Sequence, residues 1–158
     1  MDKPPLTKQG FEFIRTELHE LKTKARPEIS QAIGEARAHG DLKENAEYHA
    51  AKEQQALLEK KIAILESTLA NCVVIDVKEI PYTGKVVFGS TLTLYDIDEE
   101  REIKYKIVGN LESNPDNGLI SIDTPIARGL LGKGLEEEVA IETPAGIKKF
   151  EIIDIKHI

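Results

Sequence analysis

Apolar residues recur at every third or fourth position along two stretches in the first half of the chain. In the first stretch they are Phe11, Ile14, Leu18, Leu21 and Ala25, continued after one shift by Ile29, Ala32 and Ala36. In the second they are Ala51, Leu58, Ile62, Leu65, Leu69 and Cys72, with Gln55 as the polar member of the stripe. Alternating steps of three and four are typical of a coiled-coil seam. The pattern therefore predicts two long helices that pair antiparallel as a hairpin.

Two residues predict where the first helix bends and where it ends. Pro27 lies where the apolar register shifts, and a proline inside a helix removes one backbone hydrogen bond and crowds the preceding turn. We therefore expect a kink near residues 23–27. Gly40 can adopt a left-handed conformation, which would stop the first helix before the chain turns back.

After residue 76 the period of the pattern changes. Segments that are rich in β-formers or that alternate polar and apolar residues lie at 85–88, 90–97, 101–108, 119–122, 138–142 and 147–155, with turn residues between them. One short helix is predicted at 125–131, because Thr124 can act as its N-cap and Pro125 can occupy its first position. The second half is thus predicted to be an antiparallel sheet around one short helix.

These elements together predict an α+β protein of two domains. Residues 1–76 would form the antiparallel coiled-coil hairpin with an acidic tip at 40–48, residues 77–84 a linker, and residues 85–158 the sheet domain. Of the 158 residues, 41% are apolar, which is enough for a core in each half.

Charge and cysteine content narrow the functional classes. The formal net charge is −7, of which −1 falls on residues 1–75 and −6 on residues 76–158. An acidic chain without a large basic stripe is expected to bind naked nucleic acid poorly, because phosphate contacts supply most of that affinity. The single cysteine, the absence of a secretory leader pattern and the absence of an apolar run of membrane-spanning length predict a cytoplasmic protein without a membrane role.

The predicted turn carries two carboxylates, Asp41 and Glu44. A pair of acids at the end of a rod is badly placed for an enclosed active site but well placed to enter the site of another protein. A structural explanation competes, because Asp41-Leu42-Lys43-Glu44 also has the spacing of a helix-capping box. The two roles are compatible, since a carboxylate that caps a helix can still offer an oxygen to a metal ion. His39 and His49 flank the turn, and the sequence places no further Cys or His at the spacing of a zinc site, so we interpret them as surface histidines.

Several segments resemble the bacterial transcript-cleavage factors of the Gre family, and its GreA branch most closely. They are Arg-Pro-Glu at 26–28, Gly-Asp-Leu-Lys-Glu-Asn-Ala-Glu-Tyr at 40–48, Val-Val-Ile-Asp at 73–76, Phe-Gly-Ser-Thr at 88–91, Ile-Val-Gly at 107–109 and Ser-Ile-Asp-Thr-Pro-Ile-Ala-Arg-Gly-Leu-Leu-Gly-Lys at 121–133. The matches run nearly end to end, and the tip segment is the most specific of them.

The resemblance implies a transcription elongation factor whose C-terminal domain, similar in fold to FK506-binding proteins, docks at the rim of the RNA polymerase secondary channel. The hairpin would enter the channel and stimulate cleavage of backtracked RNA by the polymerase. Asp41 and Glu44 would help to hold a catalytic Mg²⁺ that is shared with the polymerase. Tyr48 would support the tip.

The resemblance also implies further contacts. Arg37 and Lys52 would touch the 3′ end of the nascent RNA, although cations on a rod are also typical of a solvated helix face. Asp123 and Pro125 would grip the polymerase, although both also fit an ordinary helix start. We expect a monomer that is not an enzyme on its own, has no tightly bound cofactor and takes no small-molecule substrate.

Two other functions are compatible with the pattern. A binder of the same channel that does not stimulate cleavage would insert the same rod and inhibit transcription. A prolyl isomerase or chaperone is suggested by the resemblance of the C-terminal half alone, but such pockets need aromatic walls and this chain has no tryptophan.

Overall fold

A computed structural model describes residues 3–40 and 45–158. These residues form four α-helices and seven strands that divide into two compact units. One unit contains Glu12–Cys72, and the other contains Val73–Ile158 together with the described residues up to Phe11. The architecture is α+β, as predicted. The predicted domain boundaries at 76 and 84 stay a prediction.

The helical unit is a hairpin. Helix α1 covers Lys8–Glu20 and continues through a π-helical turn at Leu21–Ala25 into helix α2 at Arg26–Arg37; helix α3 covers Ala46–Asn71. Ion pairs join the two arms at Glu17–Lys61, Lys22–Glu66 and Arg26–Glu59. The Arg26–Glu59 pair is bidentate, with N–O distances of 2.9 and 2.8 Å, and the hydrogen bond to Glu59 raises the pKa of the Arg26 guanidinium.

The π-helical turn explains the predicted irregularity near Pro27. In a regular α-helix the Pro27 ring would press on the carbonyl of Thr23, four residues back. The wider turn relieves this crowding, and the Arg26 N–H donates to the Leu21 carbonyl, five residues back. A π-type turn accommodates an extra residue, which shifts the buried face behind it.

One predicted position of the seam is wrong. The buried residues of α2 are Ile33 and Ala36, whereas Ala32, which the spacing predicted to be in the seam, is exposed. On α3 the prediction is confirmed for Ala51, Leu58, Ile62 and Leu65, all of which are buried. Gln55, Leu69 and Cys72 are half-buried.

The other unit contains a five-stranded sheet in the order β5-β4-β3-β7-β6. Its strands are β3 at Thr91–Asp96, β4 at Arg101–Val108, β5 at Leu119–Ser121, β6 at Glu138–Thr143 and β7 at Gly146–Lys156. All neighbours pair antiparallel except β4 and β5, which pair parallel. Helix α4 at Pro125–Leu130 follows β5, and its Ala127 and Leu130 are buried in the core of the sheet, whose largest buried side chain is Phe150.

Three features of this unit differ from the sequence prediction. An antiparallel sheet was predicted, but β5 pairs parallel with β4. The predicted strand at 85–88 does not form, because only Lys85 makes a bridge, to Gly134. A second, two-stranded ladder was not predicted: β1 at Pro5–Thr7 pairs parallel with β2 at Val73–Ile75. No helix among the described residues is long and apolar enough to span a membrane.

Candidate functional site

The first arm of the hairpin ends in a tight turn at residues 38–40. The N–H groups of Ala38, His39 and Gly40 donate to carbonyls three residues back, over distances of 3.2, 3.2 and 3.3 Å. Gly40 has a φ of 107°, which a side chain would make unfavourable. The prediction that Gly40 ends the first helix is confirmed.

The second arm begins at Asn45, which is its N-cap. The Asn45 backbone is extended, and its Oδ1 accepts a hydrogen bond of 3.0 Å from the Tyr48 N–H. The prediction that Asp41 opens this helix is therefore wrong, since α3 begins four residues later. The spacing of Asp41 and Glu44 fits a capping box, so it predicted a helix start before Asn45.

The Asn45 side chain also reaches across to the first arm. Its Nδ2 donates to the carbonyl of Ala36, in the last turn of α2. Ala36 and Ala51 are both buried, so the arms lie close together at this level. One amide side chain thus links the end of α2 to the start of α3.

Tyr48 forms a second contact between the arms. The Arg37 guanidinium lies over the Tyr48 ring, 5.8 Å from its centroid, which is within the range of a cation–π interaction. The ring of His49 meets the Tyr48 ring edge-on at 5.5 Å between centroids. Tyr48 is half-buried. The structure places it where a residue that supports the tip would lie, although that role stays a prediction.

The two cations predicted to contact RNA are both exposed. Arg37 lies at the last position of α2 against Tyr48, and Lys52 lies one helical turn beyond Tyr48 on α3, where its Nζ donates to Gln55 over 3.3 Å. Tyr48 therefore separates two positive groups along one side of the hairpin end. His39 adds a third contact between the arms, 3.5 Å from Glu47. Contact with RNA stays a prediction.

Asp41 and Glu44 lie outside the described residues. Among residues 3–40 and 45–158, no group of three or more His, Cys, Asp and Glu side chains could hold a metal ion. The predicted sharing of a metal by Asp41 and Glu44 stays a prediction.

The second predicted contact surface lies at the start of α4. Thr124 caps this helix by accepting a hydrogen bond of 3.2 Å from the Ala127 N–H, and Pro125 occupies the first position, as predicted. Asp123 and Pro125 are exposed, and Asp123 lies 4.0 Å from Arg128. Neither side chain is needed to fill the core, which leaves both accessible to a partner.

Family models match both halves of the chain. The model described as "Transcription elongation factor, N-terminal" matches residues 4–74, and the model described as "Transcription elongation factor, GreA/GreB, C-term" matches residues 81–157. The chain belongs to the GreA/GreB family of transcription elongation factors.

Similar proteins cover this elongation factor over its whole length. The GreA of Pasteurella multocida is 52% identical over 157 residues, with 99% of each chain covered, and that of Vibrio parahaemolyticus is 52% identical over 158 residues, with 100% of each covered. Among solved structures, GreA factor homolog 1 of Thermus thermophilus is 25% identical, with 98% of this chain and 99% of that chain covered, and has a TM-score of 0.44.

Proposed function

We propose that this elongation factor places the end of its hairpin in the secondary channel of RNA polymerase and stimulates cleavage of backtracked RNA. Asp41 and Glu44 would be the groups that act there. The factor would act as a monomer in the cytoplasm, with no tightly bound cofactor, and the polymerase would supply the rest of the catalytic site.

The observation that carries this proposal is the Asn45 cap. Capping of the second arm was the structural alternative for Asp41 and Glu44, and Asn45 performs that role through its bond to the Tyr48 N–H. Carboxylates that are not the cap of α3 can offer their oxygens to an outside group. The link from Asn45 to Ala36 supports the proposal further, because it joins the last turn of α2 to the start of α3 at the end of the hairpin.

The donor set is compatible with Mg²⁺ only as part of a larger site. Carboxylate oxygens are the hard ligands that Mg²⁺ prefers, but this ion takes about six oxygens, so two carboxylates are too few. When bound, the ion would activate water and neutralise charge on a phosphodiester. Asp41 and Glu44 would therefore increase the occupancy of a weak position in the polymerase, and the isolated factor would be inactive.

Arg37 and Lys52 would contact the RNA backbone. Both are exposed. The Tyr48 ring orients the Arg37 side chain, so that this side chain would lose less conformational entropy on binding. Two positive groups on either side of Tyr48 suit a short stretch of phosphates. The exposed pair Asp123 and Pro125 would dock the other unit on the polymerase.

A cleavage assay on halted, backtracked elongation complexes tests the proposal. With Mg²⁺ present, the wild-type factor is expected to speed the release of 3′ RNA fragments. Asp41→Asn and Glu44→Gln should each reduce this rate by about 100-fold or more, the scale on which mutagenesis finds that a charge-stabilising group acts in a dry site. Both variants should still compete with labelled wild-type factor for polymerase. Lys43→Gln is the matched control within the same segment.

The assay also separates the proposed function from inhibition alone. If the wild-type factor bound the polymerase and lowered RNA synthesis without releasing fragments, it would be a channel blocker. If Asp41→Asn and Glu44→Gln cleaved at the wild-type rate, the tip acids would have no part in the reaction.

A further inference from the structure

The first turn of α1 is held by the carboxylate of Glu112. One oxygen of Glu112 accepts hydrogen bonds from the Thr7 N–H at 2.9 Å and the Gly109 N–H at 2.8 Å, and the other accepts from the Thr7 hydroxyl. The Thr7 hydroxyl oxygen accepts in turn from the Gly10 N–H at 3.0 Å. Thr7 thus caps α1 while Glu112 holds Thr7, and all four residues lie in the unit that contains the sheet.

Two glycines make room for this contact. A Cβ atom at Gly10 would overlap the Glu112 carboxylate, and one at Gly109 would overlap the Pro5 carbonyl oxygen. Thr7, Gly10 and Gly109 are buried. A charged side chain that satisfies three donors in such tight surroundings is costly to disturb, because each donor would lose its partner.

The backbone pairing nearby is short. β1 and β2 pair over three residues, from Pro5 opposite Val73 to Thr7 opposite Ile75. These strands lie directly before α1 and just after α3, so they join the chain that enters the helices to the chain that leaves them. A two-stranded ladder of this length is marginal alone. The Glu112 contact therefore adds to the attachment of β1, beside the burial of Leu6.

We propose that Glu112 is a positioning residue for transcript cleavage, because its carboxylate fixes the start of α1 on the unit that carries Asp123 and Pro125. This inference rests on the proposed function. The effective concentration at which a docked factor delivers its tip depends on the length and stiffness of the connection between docking surface and helix. Loosening the start of α1 lowers that concentration while leaving the docking surface intact.

Three variants and two controls test the proposal. Glu112→Gln replaces one acceptor oxygen by a donor, and Thr7→Val removes the hydroxyl while keeping the shape of the side chain; the third variant combines them. Thr7→Ser keeps the hydroxyl. Asp116→Asn removes one negative charge from an exposed position four residues from Glu112. Cleavage is measured as a function of factor concentration, and polymerase affinity by competition with labelled wild-type factor.

Glu112→Gln and Thr7→Val are each expected to lower the maximal cleavage rate by about tenfold, the effect of losing one hydrogen bond to a charged group. Their polymerase affinity should stay within about threefold of wild type, since the docking surface is unchanged. The double variant should lose little more than the worse single variant, because both act on one contact. Thr7→Ser and Asp116→Asn should behave as wild type.

Other outcomes overturn the proposal. An unchanged maximal rate with a higher half-saturating concentration would mean that Glu112 serves only folding or docking. Losses that add fully in the double variant would mean that the two residues act independently. The Asp41→Asn variant separates this result from the proposed function: if Asp41→Asn abolishes stimulation while Glu112→Gln does not affect it, only the role of Glu112 fails.

Discussion

The sheet and the end of the hairpin are stabilised in different ways. The sheet encloses a core of large apolar side chains, among them Leu94, Phe150 and Ile152, which are almost fully buried. At the hairpin end the buried side chains are small, and polar contacts of Asn45 and Arg37 join the arms. The core of the sheet therefore depends on apolar packing, whereas the geometry of the hairpin end depends on polar contacts. This difference allows activity and stability to be changed separately.

The largest expected effect on stability is that of Phe150→Ala in the sheet. Phe150 is 1% exposed, and truncating a buried phenylalanine costs about 3–5 kcal/mol in lost contacts and in the cavity left behind. Urea unfolding followed by tyrosine fluorescence measures this cost, because Tyr95 and Tyr105 lie in the same sheet. Ile147→Ala on the same strand is the control, since Ile147 is 61% exposed. Equal losses for the two variants would contradict the assigned core.

A smaller effect is expected for Ile33→Ala in the hairpin. Ile33 is buried at the edge of a thin seam, so its truncation should cost about 2 kcal/mol, the low end of the range for a buried isoleucine. Ile64→Ala, at an exposed position of α3, should cost much less. Most of the helical residues lie in the hairpin, so thermal unfolding followed by far-ultraviolet circular dichroism reports on the stability of the hairpin. If Ala32→Ser destabilised the hairpin more than Ile33→Ala, the shifted register behind the π-helical turn would be wrong.

The register of α2 illustrates how far the sequence alone could lead. Steps of three and four predicted both arms, and strict alternation predicted β4 at 101–108, because each pattern is local and repeats several times. The spacing predicted Ala32, three residues after Ile29, whereas the buried residue is Ile33, four residues after Ile29; steps of three and four both fit the pattern. The pairing of β1 with β2 depends on two segments of three residues that are far apart in the sequence, and no local pattern marks it.

The candidate site was predictable in composition but not in arrangement. The resemblance identified Arg37, Tyr48 and Lys52, and the structure shows that Tyr48 lies against Arg37. Asn45 was missed as a cap, although asparagine before a helix start is a favourable cap residue, because the acidic pair offered a competing start. Polar atoms on two helices can bond only where the helices lie close together. No local pattern in the sequence determines that distance.

Asn45→Ala should have a moderate effect on stability and a larger one on cleavage. Losing an N-cap costs about 1 kcal/mol, which circular dichroism would detect as earlier unfolding of the hairpin. Asn45→Asp separates the two contacts, because aspartate still accepts from the Tyr48 N–H but cannot donate to the Ala36 carbonyl. We expect Asn45→Asp to keep the stability of α3 and to lower the rate of RNA cleavage. Full cleavage activity in Asn45→Asp would show that the link between the arms is dispensable.

The smallest effect is expected for Arg26→Gln, midway along the hairpin. The pair with Glu59 is bidentate, yet both side chains are more than 40% exposed, so water and salt screen it. The pKa of Arg26 is raised above its ordinary value by the hydrogen bond to Glu59. Because the pKa of Arg26 is higher in the folded than in the unfolded protein, the stabilisation by its charge is complete below the unfolded-state pKa. It is lost only as the pH rises through the folded-state pKa. The difference in unfolding temperature between Arg26→Gln and wild type should therefore be constant from mildly acidic to mildly basic pH and shrink as salt is added. A difference that changed with pH across this range would indicate that another titrating group, and not the Arg26–Glu59 pair, joins the arms at this level.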